Sequence, residues 1–176
     1  YIDCTENSQV ALYYDNTKKL STTADGICFN SDTAAANALD DYEEGSYVAT
    51  LVGDTGGSYT LNSSYNELAY TKVGRLVQIS GRIRITAKNS PTGSYIKLNL
   101  PFTSANLGED RGRVFGNILV QYSDQAVNDF VTLPTDNNND YVKLAHVDHD
   151  GTGFNNMNDE FSGNELITIS LAYHAA

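Results

Sequence analysis

A strict alternation of apolar and polar side chains between Leu76 and Ala87 constrains the fold of this chain most. A period of two residues predicts a β-strand with one face buried and the other face in water. Gly81, which interrupts the apolar series, predicts a bulge or a close neighbour at that point. One face carries Val77, Ile79, Gly81, Ile83, Ile85 and Ala87, and the other carries Gln78, Ser80, Arg82, Arg84 and Thr86.

The rest of the chain also reads as strands, because no segment shows an apolar period of 3.6 residues. Gly occurs 14 times and Tyr 12 times, which suits turns and pleated surfaces. About eight strands at this spacing predict an all-β fold with an antiparallel sandwich. The predicted strands are residues 46–51, 65–73, 76–87, 95–100, 114–122, 130–133, 141–147 and 165–173.

Residues 1–38 differ from this pattern, because short apolar runs alternate there with turn residues. Residues 10–14 and 27–29 are two such runs, and residues 15–19 are predicted to form a turn. This stretch holds too little apolar surface to bury a core alone, so we expect neighbouring chains to cover it. The polar residues 37–45 follow, with a short helical turn as one alternative, and predict two domains, 1–45 and 46–176.

Charge excludes several classes of partner. The chain has 22 acidic and 11 basic side chains and a net charge of −11, which would repel nucleic acid and anionic lipid. No apolar run approaches the ~18 residues of a membrane span, so no membrane insertion is expected. Cys4 and Cys28 lack the spacing of a zinc site, and the sequence leaves open whether they form a disulfide.

No group of residues predicts catalysis. The acidic cluster Asp40, Asp41, Glu43 and Glu44 reads as a solvated linker, because a glycosidase needs two carboxylates that face each other across a cleft. The Gly-rich residues 53–57 lack the Lys-Ser/Thr that completes a phosphate-binding loop. We therefore predict a protein that is not an enzyme, with no catalytic residues and no cofactor.

A metal site is weighed at residues 146–151. On a strand, His146, Asp148 and Asp150 share one face, and the two carboxylates would favour calcium. The segment lacks the complete spacing of a calcium loop, so a strand that runs into a polar turn is the preferred interpretation and no metal is predicted.

Polar loops are the candidate binding elements, since binding residues concentrate on loops held by a rigid scaffold. Three loops qualify: residues 106–113, 136–141 and 148–164. Amides donate and accept hydrogen bonds to sugar hydroxyls, and Tyr141 can stack on a sugar ring. The candidate receptor-binding residues are Asp136, Asn138, Tyr141, His149, Asp150, Phe154 and Asn155.

Four segments carry a resemblance to a known family. Residues 10–20 (VALYYDNTKKL) resemble a recurring shaft element in fibre proteins of tailed marine bacteriophages. Residues 39–45 resemble the linker before their C-terminal knob, and residues 70–75 and 100–104 resemble parts of the knob. Nothing familiar occurs from about residue 106 to 164, where such fibres are expected to vary between hosts.

The resemblance implies a homotrimer on the virion, with an intertwined β shaft, a jelly-roll-like knob and other virion proteins upstream, since the chain is expected to be the trailing part of a longer one. The leading hypothesis is a fibre tip that binds a host-surface receptor, a glycan or an outer-membrane component. The alternative is a purely structural capsid-decorating or appendage protein. A polysaccharide depolymerase is a third hypothesis, although the long repeats of such spikes are not visible here.

Overall fold

The structure is a computed structural model that describes residues 1–6, 8–34, 38–108, 116–122, 130–132, 138–147, 154–155 and 161–176. Within these residues there is no helix, and 15 strands form one four-stranded and one 11-stranded sheet. The strand pairs within both sheets are antiparallel, which confirms the predicted all-β class. No helix in the described residues is long and apolar enough to cross a membrane.

The chain divides into two compact units. The N-terminal unit consists of Tyr1–Glu43 with Lys72–Gly74, and the C-terminal unit of Glu44–Thr71 with Arg75–Ala176. Each sheet lies mainly in one unit.

The N-terminal sheet contains four strands in chain order: β1 (Ile2–Cys4), β2 (Val10–Tyr14), β3 (Thr17–Thr23) and β4 (Gly26–Phe29). Asp15 and Asn16 connect β2 to β3 with φ of 47° and 58°, as a tight hairpin turn between two right-twisted strands requires. The predicted turn at 15–19 was therefore too long, because β3 begins at Thr17.

Cross-strand pairing gives this sheet two unlike faces. One row contains the small buried residues Ala11, Ser21 and Cys28. On the other side, which we call the apolar face, a row crosses all four strands, and many of its side chains are exposed. The apolar face consists of Ile2, Leu12, Leu20 and Phe29 in that row, with Val10 and Ile27 beside it.

The second sheet is curled. Its order is β15-β11-β12-β13-β10-β6-β7-β9-β8-β5, with β14 on β13, and β15 also pairs with β9, so the order returns on itself. Its strands are β5 (Tyr42–Val48), β6 (Leu51–Gly53), β7 (Gly56–Leu61), β8 (Glu67–Val73), β9 (Leu76–Thr92), β10 (Ile96–Asn99), β11 (Asn117–Gln121), β12 (Phe130–Thr132), β13 (Tyr141–Val147), β14 (Phe154–Asn155) and β15 (Leu166–His174).

Strand β9 confirms the predicted alternation. Ile79 and Ile83 face the core and are fully buried, whereas Arg82 points to the other side of the strand and is exposed. The strand continues beyond the predicted end to Thr92, pairing with β15 along its first half and with β7 along its second. At Gly81 a Cβ would lie 2.9 Å from Leu68 Cδ2, which is the predicted close neighbour.

Two predictions around residues 42–51 were wrong. Residues 42–45 begin strand β5 instead of forming a linker or helical turn. The single strand predicted at 46–51 is broken at Ala49–Thr50, where the Asn99 side chain replaces backbone pairing. Its Oδ1 accepts from Thr50 N at 2.7 Å, and its Nδ2 donates to Val48 O at 3.1 Å.

The core of the C-terminal unit collects the inward side chains of β9, β10, β13 and β15. Phe161 and Tyr173 are the largest of its fully buried residues. A carboxylate, that of Glu165, is also fully buried. It accepts hydrogen bonds from the backbone N–H groups of residues 162–164 and from Ser162 Oγ, so the turn before β15 closes around it.

Candidate functional site

The candidate site lies on the outward face of strand β10. Lys97 and Asn99 alternate with the buried Ile96 and Leu98, so the side chains of Lys97 and Asn99 point away from the core toward solvent. Lys97 lies opposite Val52 of β6 and Lys143 of β13, and Asn99 lies opposite Tyr141. Three neighbouring strands therefore present one continuous polar surface.

An open depression of about 190 Å³ lies in this surface. Lysine, amide, carboxylate and phenol groups around it combine hydrogen-bonding capacity with one aromatic ring. A depression of this kind fits a small polar group such as one sugar ring better than an extended apolar ligand. Its lining residues, called the β10 patch below, are Thr50, Val52, Lys97, Asn99, Asp140 and Tyr141.

Lys97 is the best-anchored group in the β10 patch. Its Nζ donates to the backbone oxygen of Asp54 at 2.7 Å and lies 3.0 Å from the Asp54 carboxylate. The same Nζ lies 4.8 Å from the centre of the Tyr141 ring, within range of a cation–π contact. Lys97 therefore contacts both the hairpin and the aromatic ring, and these contacts restrict its side chain before any ligand binds.

The Gly-rich residues supply the anchor for Lys97. They form the β6–β7 hairpin, in which a Cβ on Gly53 would lie 2.3 Å from the Gly56 carbonyl oxygen. Only glycine permits this approach of two backbones. The turn brings the backbone oxygen and one carboxylate oxygen of Asp54 to Lys97, so these glycines support the patch through its lysine.

Residues 138–141, the described part of the predicted loop at 136–141, are fixed by hydrogen bonds to the segment after β10. Asn138, whose φ is 58°, donates from its N–H to the Ser104 carbonyl at 3.1 Å. Asn139 N donates to Ser104 Oγ at 3.0 Å, and Leu100 N donates to the Asp140 carbonyl at 2.7 Å. Ser104 therefore fixes the approach of the chain to Tyr141, as a positioned binding residue requires.

The predicted site residues have different outcomes. Tyr141 lies in the β10 patch, and Asn138 is exposed near it. Phe154 and Asn155 were predicted in a loop, and this was wrong, because their backbone forms strand β14, which pairs with Val147 and His146 of β13. Asp136, His149 and Asp150 lie outside the described residues.

The sequence analysis missed Lys97, Asp54 and the second lysine–tyrosine pair of this surface. Lys143 Nζ lies 5.5 Å from the centre of the Tyr95 ring, one strand away from the Lys97–Tyr141 contact. Alternation along the predicted strands 95–100 and 141–147 places Lys97 and Lys143 on the outward face, and this pattern could have indicated both lysines. The sequence hypothesis assigned binding to loops alone.

Other sequence hypotheses concern metals, cysteines and the acidic linker. Among the described residues no three His, Cys, Asp or Glu side chains lie together as metal ligands. Asp148 and Asp150, which belonged to the weighed metal site, lie outside the described residues. Cys4 and Cys28 are free thiols, one exposed and one buried. Asp41 pairs with Lys72, and so the acidic cluster is not solvated throughout.

Comparison with known proteins gives no relative for this chain: no family model, no curated protein and no solved structure matches it.

Proposed function

We propose that the protein is a trimeric fibre tip on a bacteriophage particle, whose C-terminal unit is a jelly-roll-like sandwich that binds a host-surface glycan. It acts by adhesion and catalyses no reaction. The observation that carries this proposal is the β10 patch, an anchored tyrosine ring with hydrogen-bonding groups on an exposed sheet face.

The chemistry of the patch suits a sugar. The Tyr141 ring offers a flat apolar surface, and the Asp140 carboxylate beside it offers acceptors for hydroxyl groups. Lys97 has three N–H donors and contacts two oxygens of Asp54, the backbone oxygen and one carboxylate oxygen, so the ammonium retains donor capacity toward a ligand. An open site of this size gives weak binding, on the order of millimolar. Three copies per tip and several tips per particle raise the effective affinity by avidity.

The apolar face of the N-terminal sheet supports the trimer. Ile2 is 65% exposed and Phe29 is 50% exposed, although a four-stranded sheet with an apolar face needs a covering layer. We assign that layer to the same face of two further copies, because three identical apolar faces can meet around a common threefold axis, which closes the assembly. The face is uncharged, so three copies bring no like charges together.

The glycan proposal is tested with Tyr141→Ala in the full chain, using a glycan array and adsorption of labelled protein to host cells. We expect the apparent Kd of the bound glycan to rise about tenfold or more, since the stacking surface is removed. Tyr122→Ala is the matched control, because it removes another exposed tyrosine of the same unit and should change the Kd less than about twofold. Equal losses in both variants contradict the assignment to the β10 patch.

The trimer is tested by sedimentation equilibrium. We expect a mass three times the 19.2 kDa of one chain, and a shift toward the single-chain mass in Leu12→Asp, which places a charge in the apolar face. Asn16→Asp adds the same charge in the β2–β3 turn and should leave the mass unchanged. A trimer that is silent on the array and on cells favours the alternative, a purely structural virion component.

A further inference from the structure

A second surface of the C-terminal unit carries two arginines on one exposed sheet face. Arg82 and Arg84 lie on the outward side of β9, since Ile83 between them is fully buried. On β15, Thr168 is the cross-strand partner of Arg82, and Ser170 is the partner of Ser80. We call this surface, formed by Gln78, Ser80, Arg82, Arg84, Thr168 and Ser170, the arginine face.

The two guanidinium groups have neutral hydrogen-bond partners. Arg82 Nε donates to Thr168 Oγ1 at 3.3 Å, and Arg84 Nη2 donates to Asn164 Oδ1 at 3.2 Å. Neither arginine forms an ion pair with a carboxylate of the described residues. Each guanidinium has five N–H groups, so most of the donors on this face are available to a ligand.

Glu67 is the carboxylate on the neighbouring strand β8, and its Oε2 accepts instead from Ser46 Oγ at 2.8 Å. The positive charge of the arginine face is therefore not neutralised by a direct contact with it. This is unusual in a chain with 22 acidic and 11 basic side chains, where carboxylates are plentiful. Two arginines on one strand, whose Cα atoms lie about 7 Å apart, create a local positive field inside an acidic surface.

Charge complementarity selects an anionic occupant for this face. Nucleic acid is a poor candidate, since duplex DNA carries one charge per ~1.7 Å of its axis, and the net charge of −11 opposes its approach more strongly than that of a polymer with one carboxylate per sugar ring. Hydroxyl and amide side chains surround the arginines, and such groups pair with sugar hydroxyls. Carboxylate geometry matches the planar fork of arginine in a bidentate contact.

We propose that the arginine face binds a carboxylate-bearing polysaccharide, which Arg82 and Arg84 recognise through its uronate groups. This inference rests on the proposed function and deepens it, because it makes the receptor an acidic glycan held by two surfaces of one unit. The β10 patch contacts a sugar ring, and the arginine face contacts the charged groups of the polymer.

The test uses the full-length chain and alginate, a polymer of uronates, with uncharged dextran as the reference polymer in a surface-binding assay. We expect Arg82→Gln/Arg84→Gln to weaken alginate binding about tenfold or more, since charge-assisted bidentate contacts are lost. Lys19→Gln/Lys88→Gln removes the same net charge elsewhere and should change binding less than about twofold. Arg82→Lys/Arg84→Lys keeps the charge without the fork and should fall between these two.

Three outcomes overturn the proposal. The double glutamine variant binds alginate like the wild type, or the wild type binds dextran as well as alginate, or the glutamine variant changes the sedimentation mass. The last result would make the arginine face an interface between copies, for which the neighbouring exposed Leu119 of β11 would be a natural contact. If Tyr141→Ala still abolishes cell adsorption while alginate binding is independent of both arginines, the proposed function stands and only the acidic receptor is excluded.

Discussion

The two sheets of this protein use the same alternation of side chains with opposite results. In the C-terminal sheet the large residues are inside, and Phe161 and Tyr173 are fully buried. In the N-terminal sheet the buried row is small, Ala11 with its partners, while Phe29 and Ile2 are among the exposed residues. Alternation defines two faces of a strand, but a second layer decides which face is buried. The C-terminal unit supplies that layer itself, whereas the apolar face of the N-terminal sheet stays largely exposed in the part of the chain that the structure describes.

The sharpest way to break this comparison is one substitution made in both sheets. Leu98→Ala should lower the free energy of unfolding by about 3–4 kcal/mol, since Leu98 is 0% exposed and its truncation leaves a cavity in the core. Leu12→Ala should cost less than about 1 kcal/mol in the monomer, because Leu12 is 39% exposed. Urea denaturation at a protein concentration low enough to keep the chains dissociated measures both values.

Leu12→Ala becomes informative when the protein concentration is varied. If copies cover the apolar face, its cost should grow with concentration, as folding and association are then coupled. The cost of Leu98→Ala should not depend on concentration in the same way. Equal costs for the two variants in the dissociated protein would show that Leu12 is already covered within one chain, and the contrast between the sheets would disappear.

A buried carboxylate distinguishes the C-terminal unit further. Glu165→Ala should destabilise this unit by about 3 kcal/mol, because the N–H groups of residues 162–164 and Ser162 Oγ lose their common acceptor. Glu67→Ala is the matched control, since the Glu67 carboxylate has one exposed partner, Ser46 Oγ, and its loss should cost under about 0.5 kcal/mol. Chemical denaturation of both variants measures the loss in free energy of unfolding, and equal losses would contradict a structural role for Glu165.

A smaller effect is expected at the hydroxyl group of Tyr173. This hydroxyl donates to the Phe102 carbonyl at 2.9 Å and accepts from Phe102 N at 3.2 Å, so it closes the segment after β10 against β15. Tyr173→Phe keeps the ring and should cost about 1–1.5 kcal/mol. Tyr65→Phe, at an exposed tyrosine, should leave the urea midpoint unchanged, and a similar loss there would mean that the Tyr173 contacts add nothing specific.

The sequence could predict strand β9 and the all-β class, because a period of two over residues 76–87 has one physical interpretation. It could not predict the break at Ala49–Thr50, which depends on the side chain of Asn99, about fifty positions away along the chain. Residues 42–45 were misread for a related reason. Their charged and small side chains suit a linker, and only pairing of β5 with β8 makes them a strand.

The candidate site was predictable only in part. Tyr141 was found because it follows an amide-rich loop, but Lys97 was not, since a lysine on a short strand usually reads as a solvated residue. Its role follows from the register that brings β6, β10 and β13 side by side. Register depends on long-range pairing, and a single sequence does not contain it.

The smallest expected effect is a dependence of stability on alkaline pH, carried by the same tyrosine. Burial raises the pKa of Tyr173 above its ordinary value, and burial acts in the same direction on the pKa of Tyr47, so the folded unit favours the neutral phenols. The stabilisation is complete below the unfolded pKa of roughly 10 and is lost as pH rises above it.

Between pH 8 and 10.5 the contribution of Tyr173 to this loss should be just under about 1 kcal/mol, because only the unfolded chain ionises appreciably in that range. The measurement is the difference in urea midpoint between the two pH values, in the wild type and in Tyr173→Phe, which lacks the titrating group. The variant should lose less stability than the wild type on going to pH 10.5. An equal pH dependence in both proteins would contradict the assignment of this alkaline loss of stability to Tyr173.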